Sequence, residues 1–94
     1  MLRISRATTD NQTTLRLEGE ISGQWVEELR RECAHALSGN ADTERQLVLD
    51  LAEVSSIDAG GLALFRELSA RRAVVTKCSP YVEELLKDVV DVHR

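Results

Sequence analysis

The most distinctive stretch of the chain is SSIDAGGL, residues 55–62, which sets an aspartate and two glycines between two apolar runs. Asp58 stands where a helix N-cap would, so its carboxylate could accept hydrogen bonds from amides two or three residues further on. The free amides of a helix start favour negative charge, and Gly60 and Gly61 would let another surface approach the backbone. Because Ala59 and the two glycines carry no hydroxyl, thiol or imidazole, the stretch predicts a docking site without a nucleophile.

A purely structural interpretation of the same stretch is also open. Asp58 would then serve only as a helix cap, and the two glycines would only let the helix pack closely on a sheet. A lone Asp-x-Gly-Gly motif has low specificity, so the residues alone do not choose between docking and packing.

Histidine and cysteine are too sparse to suggest a metal site or a catalytic group. His35 and His93 are the only histidines, and Cys33 and Cys78 are the only cysteines, with no CxxC spacing. A zinc site needs three or four converging ligands, and no Ser-His-Asp or Cys-His set is indicated. We therefore predict no catalytic residues, no metal, no cofactor, and two free thiols in or near the core.

Composition narrows the classes of partner. The 94 residues suffice for one domain, residues 1–94, and the net charge of −4 opposes nucleic-acid binding. Trp25, Phe65 and Tyr81 are the only aromatic residues, too few for a base-stacking surface. Trp25 is expected either as a partly buried edge residue or as an interface anchor. The sequence shows no signal peptide or membrane-spanning stretch, so we predict a cytoplasmic protein without direct membrane insertion.

The pattern of apolar residues in the first half predicts two strands and a helix. Alternation in residues 2–4 and in TLRLEGEI, residues 14–21, predicts strands joined by a turn at Asp10 and Asn11. Apolar positions then recur with helical spacing from Gln24 to Leu37, and a polar loop is expected over 38–46.

The second half alternates strands and helices. LVLDL, residues 47–51, is nearly all apolar and predicts a central strand buried on both faces. A helix with Phe65 on its apolar face follows, then a short strand in AVVTKC, residues 73–78. Ser79 is predicted to cap a third helix, whose apolar stripe extends to Val90. We therefore predict a single α/β domain with a mixed four-stranded sheet, in the order β-β-α-β-α-β-α.

Charged residues on the two longer helices are spaced for local ion pairs. A separation of four residues predicts exposed pairs of Glu27 with Arg31 and of Glu67 with Arg71.

The segment LVLDLAEVSSIDAGGLALFREL, residues 47–68, resembles the signature of STAS domains, the family of anti-sigma-factor antagonists and sulfate-transporter tails. The family pattern is an apolar strand with an Asp, a short loop, and hydrophobic-Asp-Ser-Ser-Gly-hydrophobic at a helix start. Asp50 matches the strand Asp, and LRLEGEI, residues 15–21, is similar to the family's second strand. Positions in the loop and at the helix start that also match are Val54, Ile57, Asp58, Gly61 and Leu62.

The departure from the family pattern concerns the phosphoacceptor. The resemblance implies that a partner kinase phosphorylates the first Ser of the motif in regulatory members, and here that position is Ala59. The second Ser is replaced by Gly60. A phosphoryl group would add roughly −1.5 to −2 charge and control partner binding, so we expect that control to be missing. Ser55 and Ser56 are expected in the preceding loop as turn formers, not as replacement phosphoacceptors.

The resemblance implies a bacterial protein-interaction module without catalysis. The expected partner-binding residues, called the corner below, are Ser56, Asp58, Ala59, Gly60, Gly61 and Leu62. One hypothesis is an anti-sigma-factor-antagonist-like regulator that binds a kinase-like anti-sigma partner without phospho-control. The alternative is the small STAS subunit of a lipid-transporting ABC complex, which binds the ATPase subunit at the membrane. The sequence leaves the oligomeric state and any small ligand open.

Overall fold

The computed structural model describes residues 1–9, 11–37, 46–71, 73–89 and 92–93. The predicted order β-β-α-β-α-β-α is confirmed, and two further residues add a short fifth strand. The elements are β1 (Leu2–Thr8), β2 (Gln12–Ile21), α1 (Gln24–Leu37), β3 (Gln46–Ile57), α2 (Ala59–Ala70), β4 (Val74–Thr76), α3 (Pro80–Leu86) and β5 (Val92–His93).

The strands form one mixed sheet in the order β1-β2-β3-β4-β5. The β1–β2 pair is antiparallel, and every later pair is parallel. Each parallel connection moves one strand in the same direction across the sheet. Because such crossovers are almost always right-handed, the three helices lie on the same face, where their apolar stripes can share one core.

Burial along the strands confirms that one face of the sheet carries the core. In β3, Leu47, Leu49 and Leu51 are buried, whereas Val48 and Asp50 between them are only half-buried. The prediction that this strand is buried on both faces is therefore wrong. With all crossovers turning the same way, none of the three described helices covers the second face, and a parallel strand can then alternate as an antiparallel one does.

Some predicted boundaries also differ from the structure. β3 continues to Ile57, so Ser55 and Ser56 belong to the strand and not to a loop, because β2 pairs with β3 as far as Ile57. α3 ends at Leu86 instead of extending to Val90. Gln46, the last residue of the predicted polar loop, begins β3 instead. The turn residue Asp10, the rest of that loop over 38–45, and Val90 lie outside the described residues.

The ion pairs on the helices differ from the two that were predicted. Arg30, not Arg31, lies beside Glu27, with 3.5 Å between Arg30 Nε and Glu27 Oε1. Glu67 pairs with Arg30 of α1 and not with Arg71, the residue that follows its own helix. The charges therefore connect α1 to α2 across their exposed sides.

The cysteines and Trp25 take the expected environments. Cys33 lies in the core, and Cys78 and Trp25 are partly buried and packed against it. Both cysteines are free thiols. Burial raises the pKa of the Cys33 thiol to about 12, and burial also raises the pKa of Cys78.

Candidate functional site

Asp58 joins the starts of two helices. Its Oδ1 accepts a hydrogen bond from the Gly61 amide at 2.8 Å, which confirms the predicted N-cap of α2. Its Oδ2 accepts from the Gly23 amide, 3.0 Å away in the turn before α1. The Asp58 amide in turn donates to the Ile21 carbonyl at 3.0 Å. One residue thus ties the end of β2, the turn before α1 and the start of α2 together.

The charge state of Asp58 follows from these contacts. Hydrogen bonds from the Gly61 and Gly23 amides lower the pKa of the Asp58 carboxyl below its ordinary value, since they favour the ionised form. Desolvation acts in the opposite direction and is the smaller effect. The carboxylate therefore stays ionised at neutral pH and accepts hydrogen bonds from otherwise free amides at both helix starts.

Gly23 is the residue at this site that the sequence analysis missed. It has a φ of +55°, a conformation that favours glycine, and an added Cβ would meet no atom within 4 Å. The signal available in the sequence was the position of Gly23 in the short connection between β2 and α1. Its partner Asp58 is 35 residues away, and no local pattern connects them.

Gly61 faces the interior. It is buried, and a Cβ built on it would lie 2.6 Å from Ile57 Cγ2 and 3.0 Å from Ile21 Cγ2. The Ile21 carbonyl oxygen would be 3.1 Å away. The surface that comes close to this bare backbone is therefore the protein's own sheet, as the packing interpretation supposes.

The other corner residues lie at or near the surface. Asp58, Ala59 and Gly60 are exposed, while Ser56 and Leu62 are half-buried. A Cβ added at Gly60 would be 3.4 Å from Asp58 Oδ1 and 3.9 Å from Val26 Cγ2, which is ordinary contact. The structure thus brings the predicted residues together but divides the two glycines, with Gly60 outward and Gly61 inward.

Asp50, the other aspartate of the signature, is mostly covered and shapes the strand. Its Oδ1 accepts from the Ala52 amide at 3.0 Å, and its Oδ2 lies 3.7 Å from Lys77 Nζ. The β2–β3 pairing changes register just beyond this point, between the pairs of Arg16 and Glu18. Asp50 therefore supports the irregular end of β3 that leads into the corner.

Neither a metal site nor a membrane-spanning helix is found within the described ranges. No group of three or more His, Cys, Asp and Glu side chains there could hold a metal ion. None of the helices in this part of the chain is long and apolar enough to cross a membrane.

Several solved structures with the same fold are those of anti-sigma factor antagonists. SpoIIAA in its unphosphorylated form is 22% identical with a TM-score of 0.71, over 100% of this chain and 89% of that chain. The Bacillus cell fate determinant SpoIIAA in the phosphorylated form is 21% identical with a TM-score of 0.67, over 98% and 92%. An anti-sigma factor antagonist from Mycobacterium paratuberculosis is 16% identical with a TM-score of 0.77, over 99% and 86%. Among curated proteins, none matches the chain.

A family model covers most of the sequence. The model described as "Mlab, STAS domain" matches residues 4–87, which include every element from α1 to α3 and the whole corner. This match agrees with the strand order, the capped helix start and the signature around Asp58. The chain therefore belongs to the STAS domain family.

Proposed function

We propose that this chain is a non-catalytic docking module that binds a protein partner through the corner, without control by phosphorylation. The observation that carries the proposal is the exposed first turn of α2, which begins with Ala59 and Gly60. The resemblance to the family motif implies that these two residues replace its two serines. No hydroxyl is present at either position. A partner would meet short side chains on a backbone that Asp58 already holds in place.

Rigidity supports a docking role for this surface. The Asp58 carboxylate uses both oxygens on amides of its own chain, so it orders the surface instead of offering free acceptors to a partner. A binding surface that is ordered beforehand loses less conformational entropy on association. Ala59 and Gly60 have short or absent side chains, so nothing must be immobilised there when a partner arrives.

The strand position of Ser55 and Ser56 argues against their phosphorylation. Both lie in β3, with Ser56 opposite Glu20 on β2. A phosphoryl group on Ser56 would place negative charge beside Glu20 and close to the ionised Asp58, and like charges at such positions repel. This repulsion opposes phosphorylation of Ser56 and supports the proposal that the corner acts without a phosphoacceptor.

The partner proposed first is a kinase-like anti-sigma protein, as the likeness to anti-sigma factor antagonists suggests. The second candidate is the ATPase of a lipid-transporting ABC complex. The missing acceptor favours this second candidate, because a permanent subunit needs no phosphorylation to control its association. In both cases we place the protein in the cytoplasm, where the two free thiols stay reduced.

A matched pair of substitutions on α2 tests the docking surface. Ala59 and Ala70 are both exposed, one in the first turn of the helix and one at its last residue. Wild type, Ala59→Arg and Ala70→Arg would each be immobilised, and the proteins retained from a native lysate identified and then titrated. We expect Ala59→Arg to lower the affinity for the retained partner at least tenfold, about 1.4 kcal/mol. Ala70→Arg should leave that affinity unchanged.

The identity of the retained protein separates the two candidates, a kinase-like protein for the first and an ATPase for the second. Equal retention by both variants would remove the corner from the interface. Loss of retention by Ala70→Arg alone would move the interface to the other end of α2.

A further inference from the structure

The two edges of the sheet are protected to different degrees. β5 has two residues in the described part of the chain, and so short an edge offers little to a foreign strand. β1 has seven residues, pairs with β2 without any register shift, and contains no proline or lysine. No described strand pairs with its outer side. An edge of this length without these protective devices is open to pairing with another strand.

The backbone groups that face outward from β1 follow from the hairpin. The Thr9 amide donates to the Gln12 carbonyl at 2.8 Å, and the Glu20 amide donates to the Met1 carbonyl at 3.3 Å. Hydrogen-bonded pairs alternate with non-bonded pairs in an antiparallel ladder. Odd-numbered residues of β1 therefore bond to β2, and the even-numbered ones direct their N–H and C=O groups outward: Leu2, Ile4, Arg6 and Thr8.

We propose that β1 pairs antiparallel with β1 of a second copy of this chain, about a two-fold axis at Ser5, to give one continuous sheet. This register places Leu2 opposite Thr8 and Ile4 opposite Arg6, so the outward groups of all four residues meet. Two bonds from each of four pairs give about eight hydrogen bonds. Shifting the axis by one residue, to Ile4 or to Arg6, loses one of the four pairs.

The charges on β1 agree with this register. Arg3 lies opposite Ala7 and Arg6 opposite Ile4, so no like charges are directly paired, which would be destabilising. An axis at Arg6 would set the two copies of that residue face to face. Both arginines already have partners in their own chain, since Arg6 Nη2 is 2.9 Å from Glu32 Oε2 and Arg3 Nη1 is 3.8 Å from Glu18 Oε2. These two arginines therefore protect the edge of β1 poorly against pairing with another strand.

Ile4 adds an apolar contribution. It is only half-buried, although it lies on the core face opposite Leu17. In the proposed pair, the aliphatic part of Arg6 from the second copy would lie beside it and cover part of its remaining surface. None of the corner residues lies in β1, so self-association and partner docking can be tested with separate substitutions.

Cross-linking at the axis gives a direct test. Ser5 would form a non-bonded pair with its own copy, where Cα atoms are about 4.5 Å apart, within the range of a disulfide. Ser5→Cys, in a Cys78→Ser background, should form a covalent dimer under mild oxidation at about 100 µM protein, which would populate an association in the micromolar range. Cys33 should not interfere, because it is 1% exposed.

Ala7→Cys in the same background is the matched control. Ala7 is exposed on the same strand and the same face as Ser5. The two copies of Ala7 would be separated by four residues along the strand, about 13 Å, too far for a disulfide. Faster cross-linking of Ser5→Cys than of Ala7→Cys supports the proposal, and equal rates overturn it.

Sedimentation of the unmodified protein gives a second measurement without cysteine chemistry. We expect the average mass to rise toward that of a dimer between about 1 µM and about 1 mM. Ser5→Asp should remain a monomer, because like charges would meet at the axis, while in each monomer the new carboxylate lies opposite Arg16. A wild-type protein that stays monomeric over the whole range, or a Ser5→Asp protein that dimerises equally well, overturns the proposal.

Discussion

The first turn of α2 has an inner side that faces the sheet and an outer side that faces solvent. A glycine lies on each side, and the surroundings of the two glycines differ. On the inner side, Gly61 leaves room for Ile21 and Ile57, and an added Cβ would approach Ile57 Cγ2 to 2.6 Å. On the outer side, Gly60 could carry a Cβ at ordinary contact distances. Packing thus explains Gly61 and leaves Gly60 without a structural reason, so the docking proposal rests on the outer side.

The largest effect is expected on the inner side, from Gly61→Ala. The isoleucine methyl groups are stiff at χ1, and the Ile21 carbonyl already accepts from the Asp58 amide, so none of these atoms can yield easily. We expect a net loss of about 1–3 kcal/mol in the free energy of unfolding, even though alanine is the better helix former by about 1 kcal/mol. Urea unfolding of the wild type and of the variant measures this difference in the free energy of unfolding.

The docking interpretation of the sequence would instead have bulk at Gly61 harm partner binding more than folding. Gly61→Arg should now unfold the domain, and binding should fail as a consequence. If both Gly61 variants melt at the wild-type temperature, the packing around Gly61 is looser than the distances indicate. That result would support a role for Gly61 in the docking surface.

The next largest effect on stability is expected from Asp58→Asn, which changes the carboxylate that holds the Gly61 and Gly23 amides. In Asp58→Asn one oxygen can still cap Gly61, but the amide nitrogen cannot accept from Gly23. We expect the melting temperature at pH 7 to fall by several degrees. Because the pKa of Asp58 is lowered by folding, its stabilisation is complete above the unfolded value of about 3.9. It is lost as the pH falls through the folded pKa.

The difference in stability between wild type and Asp58→Asn should therefore shrink as the pH falls below about 4. Glu28→Gln is the control, since Glu28 is an exposed carboxylate on α1 away from the corner. A constant difference between wild type and Asp58→Asn over this pH range would mean that the ionised carboxylate does not supply the effect.

A smaller effect of opposite sign is expected on the outer side. Gly60→Ala adds a methyl group at ordinary contact distance and removes backbone freedom from the unfolded chain. The free energy of unfolding should rise by up to about 1 kcal/mol. The rise is smaller if the helix propensity of alanine contributes little in the first turn. Calorimetric melting of this variant beside Gly61→Ala gives the sharpest contrast between two adjacent glycines. Destabilisation by both would erase the distinction between the two sides.

The smallest effect on stability is expected for Ala59→Ser, which restores the family's hydroxyl at an exposed position. The free energy of unfolding should change by less than about 0.5 kcal/mol. Incubation with a STAS-partner kinase and ATP should add no phosphate to the wild type, as intact-mass spectrometry would record. A phosphate on wild-type Ser55 or Ser56 would contradict the proposal, and a phosphate on the variant alone would show that a kinase still docks there.

The sequence predicted most accurately those features that depend on neighbours along the chain. The bounds of α1, Gln24–Leu37, were predicted as observed, because a helical face repeats within a single segment. The cap of α2 by Asp58 was also predicted, since its partner is three residues away. The prediction failed where a strand is defined by its neighbour. β3 continues through the polar residues Glu53, Ser55 and Ser56 because β2 pairs with it there.

Composition and local spacing determined the class of the domain, the order of its elements, the capped helix start and the absence of a hydroxyl at Ala59. Tertiary structure alone decided that Gly61 faces the sheet while Gly60 faces solvent, and that Asp58 also holds Gly23. The physical reason is distance along the chain. Hydrogen bonds and contacts that join residues tens of positions apart depend on how the sheet and helices pack, and a periodic pattern within one segment contains no information about them.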